Sequence, residues 1–416
     1  MKILFISLGC DKNLADSEEM LGLLTGSGHE IVDSEEEAEA IVINTCCFIH
    51  DAKEESVNTI LEMAEYKKTG KCKALVVTGC MAQRYKEEIT QEIPEVDAVL
   101  GTTSYGDIVK ALNEVQAGHV FQEFRDINEL PEDSGRRVLT TGGHFGYLKI
   151  AEGCDKHCTY CIIPSLRGSF RSVPEERLLA QAEYMASQGV KELILVAQET
   201  TVYGTDLYGR KTLHILLKKL CQIRGIRWIR VLYCYPEEIY DELIQVMKEE
   251  KKICNYLDLP IQHASDRILK RMGRRTTRKQ LTDIITKLRR EIPDIVLRTS
   301  LITGFPGETQ EDHEELMEFV DEMEFDRLGV FTYSPEEGTP AETMEGQVPE
   351  EVKEERRDEI MSLQQEISLE KGSERIGQEL LVMIEGKVSG ESAYIGRTYA
   401  DAPKVDGYLF VQTGEL

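Results

Sequence analysis

The chain has 416 residues, which at roughly 150 residues per domain predicts two to three domains. Hydrophobic residues make up 41% and charged residues 30%, so a normal globular core is available and wholesale disorder is excluded. The formal net charge of −26 disfavours general phosphate binding and favours a basic protein partner. No apolar run approaches the ~20 residues that span a bilayer. The first residues indicate a strand and not a signal peptide, so we expect a cytoplasmic protein without membrane association.

The first part of the chain alternates strands with helices. Its apolar strands are KILFISLGC, AIVINTC, ALVVTGC and AVLG. Helical patterns follow these strands at about residues 16–24, 52–66, 83–93 and 105–115. Such alternation indicates a parallel sheet covered on both faces. We therefore expect a flavodoxin-like α/β domain over residues 1–125.

The same alternation resumes after a polar segment, residues 126–143, which we interpret as a linker. Six more apolar strands follow: GYLKIAEG, ELILVAQ, WIRVLYCY, YLDLPIQ, IVLRTSLITGF and RLGVFTYS. A complete TIM barrel needs eight such units. We therefore expect residues 144–372 to form a partial TIM barrel, with a charged helix at the end of this segment. Short glycine-bearing strands over residues 373–416 predict a small β-barrel module. This stretch is too short to close a barrel, and we expect the module to be truncated.

The eleven cysteines should not form a disulfide framework in a reducing cytosol. The strongest motif is Cys154-Asp-Lys-His-Cys158-Thr-Tyr-Cys161, directly after a predicted strand. Three thiolates without a fourth cysteine nearby suit a four-iron cluster with one iron left open for a substrate. The alternative is a zinc site completed by His157 or by a distant ligand.

A second set of cysteines lies at the carboxyl ends of three predicted parallel strands, SLGC, INTC and VTGC. These residues are Cys10, Cys46 and Cys80. Ligands of open α/β sheets bind beyond the carboxyl ends of the strands, so three thiolates placed there could meet. Each one alone would favour a buried core cysteine. The repeated position favours a second iron–sulfur cluster.

The CxxxCxxC motif with an aromatic residue before its last cysteine resembles the radical S-adenosylmethionine (SAM) superfamily. Together the two cysteine sets resemble the methylthiotransferases of that superfamily over essentially the whole chain, with a C-terminal TRAM module. The resemblance implies two 4Fe-4S clusters and two uses of SAM, as methyl donor and as radical source. It implies that Cys154, Cys158 and Cys161 hold the catalytic cluster, and that the N-terminal cluster carries or receives the sulfur.

The resemblance also implies candidate SAM contacts. Tyr160 lies between two cluster ligands, where its backbone could approach the adenine. Gln198 and Glu199 end the second barrel strand, where family members bind the amino or ribose groups of SAM. Arg298 lies on the fifth barrel strand and could pair with the SAM carboxylate or form a structural ion pair.

Several segments resemble the branch of the family that methylthiolates the β-carbon of an aspartate in small-subunit ribosomal protein twelve. They are SLGCDKNLADSE, CTYCIIPSLRG, VAQETT, PIQHASDRILKRM and FTYSPEEGTPA. The transfer-RNA branch typically has PYTRG where this chain has PSLRG, and Glu199 departs from the aspartate more common in the first branch. The predicted TRAM module has four basic residues (Arg375, Lys387, Arg397, Lys404) against seven acidic ones (Glu374, Glu379, Glu385, Glu391, Asp401, Asp406, Glu415). An RNA-binding module should be basic, so the charge favours a protein substrate.

Two other functions remain open from the sequence. A transfer-RNA methylthiotransferase would share the chemistry and differ in substrate. A non-catalytic iron–sulfur electron carrier, or a zinc-dependent binding module, would use the same cysteines without cleaving SAM. By resemblance we expect a flavodoxin or ferredoxin as electron donor, and we expect a monomer.

Overall fold

The computed structural model describes residues 1–132 and 135–413. Residues 133–134 of the predicted linker and residues 414–416 of the predicted C-terminal module lie outside the described residues. Within the described ranges, no helix combines the length and the apolar character that a membrane-spanning helix needs.

The N-terminal domain is a parallel sheet with helices on both faces. Its strands are β1 (Lys2–Ser7), β2 (Glu30–Val32), β3 (Ala40–Thr45), β4 (Ala74–Gly79), β5 (Ala98–Leu100) and β6 (Phe121–Glu123). Its helices are α1 (Asp11–Gly26), α2 (His50–Thr69), α3 (Cys80–Glu92) and α4 (Ile108–Gln116), the last preceded by a 3₁₀ turn at Tyr105–Asp107. The spatial order β2-β1-β3-β4-β5-β6 is the doubly wound order of flavodoxin extended by one strand. The predicted fold of this domain is confirmed.

The central domain is built on a second parallel sheet. Its strands are β7 (Phe145–Lys149), a short antiparallel pair β8 (Ala151–Glu152) and β9 (Arg171–Ser172), then β10 (Glu192–Val196), β11 (Trp228–Val231), β12 (Ile253–Asp258), β13 (Val296–Thr303) and β14 (Arg327–Thr332). The strands other than β8 and β9 lie side by side in chain order, each parallel to the next. This is the partial barrel that the sequence predicts.

Helices cover the outer wall of the partial barrel. They are α5 (Ile163–Arg167), α6 (Glu175–Ser187), α7 (Thr205–Tyr208), α8 (Leu213–Leu220), α9 (Asp241–Glu249), α10 (Asp266–Arg271), α11 (Arg278–Glu291), α12 (Gln310–Met323) and α13 (Glu350–Glu374), with 3₁₀ turns at Pro236–Glu238 and Pro340–Thr343. The largest apolar core of the molecule fills the space between these helices and the strands. The start of α12 follows a local rule, since Thr309 and Asp312 form a capping box there.

The C-terminal module, in its described part, is an antiparallel sheet of β15 (Met383–Lys387), β16 (Ala393–Arg397) and β17 (Leu409–Gln412). The loop between β16 and β17 enters the partial barrel. Its Ala400 and Ala402 are fully buried against inward-facing residues of the strands, among them Tyr147 and Tyr256. The module therefore covers inward-facing residues of the partial barrel.

In its described part, the segment between the first two domains is attached to both of them by hydrogen bonds to buried groups. Arg137 donates hydrogen bonds to Glu18 of α1 (2.8 Å) and to the carbonyl of Tyr147 in β7 (2.6 Å). The backbone and hydroxyl of Thr140 also donate to Glu18, at 2.7 and 3.0 Å. These contacts attach the N-terminal domain to the barrel.

Candidate functional site

The CxxxCxxC motif forms a loop between the two strands of the β8–β9 pair. Cys154 and Cys158 are buried, with 7% and 6% of their surface exposed. The Cys154 amide donates to the carbonyl of Gly168 (3.0 Å), and the Lys156 amide lies 3.4 Å from the Cys154 sulfur. His157, the alternative zinc ligand, is exposed. The structure therefore brings the thiols to the inside of the loop and leaves the imidazole outside.

The thiols of this loop influence one another electrostatically. Burial, with a smaller contribution from the neighbouring Cys158, raises the pKa of Cys154 to about 11. Burial raises the pKa of Cys161 to about 12, with Cys158 and Cys154 adding to the effect. Thiols with such pKa values stay protonated at neutral pH. Binding of iron would displace these protons, because a metal-bound cysteine is a thiolate.

The second cysteine set lies at the carboxyl ends of three adjacent strands, as the sequence predicts from their positions. Cys10 precedes α1, Cys46 follows β3 directly, and Cys80 is the first residue of α3 after β4. The strand register pairs Thr45 with Gly79, so Cys46 and Cys80 leave the sheet side by side. A Cβ on Gly9 (φ +89°) would lie 2.7 Å from the Cβ of Cys46, so the first loop passes against the second.

These three thiols also act on one another. Burial raises the pKa of Cys46 to about 12, and both Cys80 and Cys10 contribute to the increase. Burial likewise raises the pKa of Cys80, which Cys10 raises further. Cys47, predicted to be a packed neighbour, has no exposed surface and lies in the apolar core of this domain. Cys10, Cys46 and Cys80 therefore remain the predicted cluster ligands of this domain.

The donor chemistry of both sites fits an iron–sulfur cluster better than a single metal ion. Throughout residues 1–132 and 135–413, no group of three or more His, Cys, Asp or Glu side chains is arranged to hold one metal ion. A tetrahedral zinc ion needs its ligands gathered around one point, with Zn–S bonds of about 2.3 Å. A four-iron cluster offers a separate iron to each thiolate, and three thiolates leave one iron free.

Two of the candidate SAM contacts follow β10 and keep unsatisfied acceptor atoms. Gln198 donates to Glu152 (3.1 Å), and its buried Oε1 has no hydrogen-bond partner. Glu199, only 1% exposed, accepts from the Thr201 amide (3.0 Å), while its Oε2 accepts no hydrogen bond. Burial raises the pKa of Glu199 to about 7. Such acceptors are ready to receive the N–H or O–H donors of a ligand.

The other two candidates are engaged with protein groups. Tyr160 is half-buried and packs edge-on against Phe305, with ring centroids 6.4 Å apart. Arg298 binds Asp258 of β12 (2.8 Å) and faces Asp406 of the C-terminal module (3.5 Å). The structural ion pair, one of the two interpretations of Arg298, is thus present.

The interface between the two cysteine sites is polar, which sequence reasoning missed. Asp16 of α1 forms ion pairs with Lys149 of β7 and with Arg167 of α5, the latter at 2.8 Å. Tyr233, after β11, donates to Asp11 (3.2 Å), and the Lys12 ammonium lies 3.3 Å from the centre of its ring. The available signal was the run of polar residues that opens α1.

Comparisons with known proteins agree with this architecture. Residues 2–101 match the family described as uncharacterised protein family UPF0004, residues 148–320 the radical SAM superfamily, and residues 376–416 the TRAM domain. Among solved structures, the radical SAM methyltransferase TsrM from Kitasatospora setae superposes with a TM-score of 0.59. It is 13% identical, covering 82% of this chain and 75% of TsrM. The cobalamin-dependent SAM radical enzyme OxsB gives 0.56 at 14% identity, covering 93% and 62%. At such identities these likenesses concern the fold alone.

The curated relatives are much closer in sequence. The ribosomal protein uS12 methylthiotransferase RimO of Lachnoclostridium phytofermentans is 64% identical, covering 99% of this chain and 94% of the relative. The protein of the same name from Clostridium perfringens is 51% identical, covering 99% and 92%. The family predicted from the cysteine motifs is confirmed, and the chain belongs to the RimO family of radical SAM methylthiotransferases.

Proposed function

We propose that this protein transfers a methylthio group to the β-carbon of an aspartate in ribosomal protein uS12. The observation that carries the proposal is the pair of cysteine triads, one at the carboxyl edge of each sheet, joined by a buried polar interface. A single triad would suit ordinary radical SAM chemistry. Two triads suit a reaction that needs both a radical and a sulfur donor.

The residues of the central domain would bind and orient SAM. Cys154, Cys158 and Cys161 would hold one 4Fe-4S cluster, and Cys10, Cys46 and Cys80 the other. When bound, the first supplies the electron that cleaves SAM and the second supplies the site of sulfur transfer. The free acceptor oxygens of Gln198 and Glu199 would receive the amino or ribose donors of SAM.

Tyr160 and Arg298 complete the proposed SAM site. Tyr160 would border the adenine through its backbone. Arg298 would neutralise the SAM carboxylate if that group displaced one of its present acidic partners. The competition with Asp258 and Asp406 makes Arg298 the weaker of the two contacts.

The choice of uS12 over transfer RNA rests on charge as well as on the relatives. The chain carries a net charge of −26, which repels a nucleic-acid backbone and attracts a basic ribosomal protein. We further infer that the enzyme acts as a monomer in the cytoplasm and receives electrons from a flavodoxin or ferredoxin. The reaction needs such a donor because SAM cleavage consumes an electron from outside.

The deciding experiment is an anaerobic turnover of the reconstituted protein with SAM and a strong reductant. Both a uS12 peptide and a transfer-RNA anticodon stem are present, and mass spectrometry follows each. We expect a methylthio group on the peptide aspartate. Methylthiolated RNA would show that the substrate is transfer RNA and not uS12. Absence of 5′-deoxyadenosine would contradict an enzymatic function and leave an electron carrier.

A further inference from the structure

Arg167 is a buried arginine of the central domain that reaches into the N-terminal domain. It is the last residue of α5, the short helix that follows the CxxxCxxC loop, and only 2% of it is exposed. Its guanidinium binds Asp16 of α1 (2.8 Å) and Glu152 of β8 (3.1 Å). It also donates a hydrogen bond to the side-chain oxygen of Asn13. Arg167 therefore links the end of one cysteine loop to the start of α1, which begins next to Cys10.

Asn13 in turn contacts all three loops of the N-terminal cysteine set. Its side-chain NH₂ donates to the carbonyl of Leu8, before Cys10, at 3.2 Å, and to the carbonyl of Thr45, before Cys46, at 3.0 Å. Its Oδ1 lies 3.9 Å from the sulfur of Cys80. Asn13 is fully buried, so this arrangement cannot be replaced by water. The orientation of its amide is fixed because Arg167 donates to the oxygen.

Arg167 also brings a positive charge close to the N-terminal cysteine set. The Asn13 oxygen to which Arg167 donates lies 3.9 Å from the Cys80 sulfur. Lys149, the other cation of the same network, is bound to Asp16 and to Glu152 (2.8 Å). Both cations thus belong to one buried network, in which Arg167 donates to Asn13 and Lys149 donates to Asp16 and Glu152.

We propose that Arg167 is a positioning residue for the N-terminal cluster, holding its three cysteine loops through Asn13 and raising its reduction potential. The proposal rests on the proposed function in one respect, that Cys10, Cys46 and Cys80 hold a cluster. The potential of an iron–sulfur cluster rises when positive charge and hydrogen-bond donors lie near its sulfurs. Because the guanidinium comes from the central domain, the potential of the N-terminal cluster depends on how the two domains are docked.

The test measures the N-terminal cluster alone, in the full-length chain. C154A/C158A/C161A provides a parent that can hold only that cluster, and iron and sulfide analysis counts it. R167M is added to this parent, and K149M serves as the matched control that removes one cation from the same network. A redox titration followed by EPR spectroscopy gives the midpoint potential. We expect R167M to be reduced at a clearly more negative potential than the parent, and K149M to shift much less.

R167K separates the charge from the geometry. It keeps the positive charge, so its potential should stay near that of the parent. A single ammonium cannot hold Asn13, Asp16 and Glu152 together as a guanidinium does, so the EPR signal should change. If R167M does not fold, R167K decides alone, and an EPR signal identical to that of the parent overturns the proposal.

The outcomes distinguish this inference from the proposed function. A parent that holds no iron contradicts the cluster at Cys10, Cys46 and Cys80, and with it the proposed function. A parent with a full cluster whose potential is the same in R167M, or shifts equally in R167M and K149M, overturns only the role of Arg167.

Discussion

Glu199 is a carboxylate whose environment differs clearly from that of an ordinary surface residue. It is nearly inaccessible, and the ammonium of Lys156 is 4.0 Å from its Oε2. Burial raises its pKa to about 7 from an ordinary 4.5. At neutral pH its side chain is therefore poised between a hydrogen-bond donor and an anion, which suits the contact with SAM proposed above.

The raised pKa of Glu199 predicts a pH-dependent stability difference between wild type and Glu199→Gln. Between pH 4.5 and about 7 the folded protein holds a proton that the unfolded chain has lost, so this residue costs stability as the pH rises. The cost grows to about 3 kcal/mol above that window, at 1.36 kcal/mol per pKa unit. Glutamine does not titrate. Melting temperatures of the cofactor-free proteins should therefore favour the variant increasingly from acidic to mildly alkaline pH.

The exposed Glu183→Gln on α6 is the control, since its side chain is in water in both states. It should show no pH-dependent difference from wild type. A constant difference between wild type and Glu199→Gln across the pH range would show that folding does not raise the pKa of Glu199.

The two cysteine sets should be separable by single substitutions. Cys46→Ala removes one thiolate of the N-terminal set and leaves the central one intact, so SAM cleavage to 5′-deoxyadenosine should persist while methylthio transfer is lost. Cys158→Ala, the matched control, should abolish cleavage and retain iron at the N-terminal site. Chromatography of nucleosides and mass spectrometry of the peptide measure the two steps. A normal methylthiolated product from Cys46→Ala would remove the N-terminal cluster from the reaction.

At the scale of elements, helix α1 is unusual because it buries acidic side chains. Asp16, Glu18 and Glu19 all have less than a tenth of their surface exposed. Each has a partner outside the helix: Asp16 binds Lys149 and Arg167, Glu18 binds Arg137 and Glu19 accepts from Tyr105 (2.8 Å). The helix therefore joins the domains by charge and hydrogen bonding.

Glu18→Gln tests this attachment. Arg137 and Glu18 have 6% and 0% of their side chains exposed, and removing one member of such a buried pair costs about 3–5 kcal/mol. We expect a markedly lower midpoint in urea unfolding. Glu37→Gln, which breaks the exposed pair with Lys2, should leave the midpoint almost unchanged, because exposed pairs contribute little. Equal midpoints for both variants would mean that the interface does not depend on Glu18.

The elements that the sequence predicts well are those whose signal is local. AIVINT and ALVVTG are fully buried strands, and their apolar runs already indicate this. The predicted start of α1 near residue 16 was late, since the helix begins at Asp11. The first turn of α1 is polar because it faces another domain. The local spacing of apolar residues does not reveal such a contact. The short edge strands β2 and β6, of three residues each, were missed for the same lack of signal.

In the candidate site, too, the residues with a local sequence signal were predicted and the others were not. The positions of the cysteines in the fold were predictable because each follows a recognisable strand or lies in a compact motif, while their role as cluster ligands stays a prediction. Arg167 and Asn13 were not, because they are 154 positions apart in the chain and meet only when the two domains dock. The boundaries of the predicted domains and the individual SAM contacts stay predictions.

At the scale of the whole molecule, the C-terminal module is part of the barrel. Arg397 is fully buried and binds Glu192 at the start of β10 (2.8 Å) and Glu385 of its own sheet (2.5 Å). Tyr256 of β12 donates to Asp406 (2.7 Å). From the sequence we expect only a small appended module. Its glycine-bearing strands do not reveal that the loop connecting them enters a neighbouring domain.

Removal of residues 376–416 should therefore destabilise the central domain, in addition to weakening substrate binding. The truncation uncovers the apolar inner wall around Tyr147 and Tyr256 and leaves the buried Glu192 with Arg230 as its remaining cation. Exposed apolar surface costs about 25 cal/mol per Å², and the loss of the buried Arg397–Glu192 pair adds to this. We expect a lower melting temperature and binding of a hydrophobic dye. Phe410→Ser is the control, because this residue is 72% exposed on β17 and should leave both readouts unchanged. A truncated chain that melts at the wild-type temperature would mean that the module is a detachable substrate-binding domain, and that the barrel is stable without it.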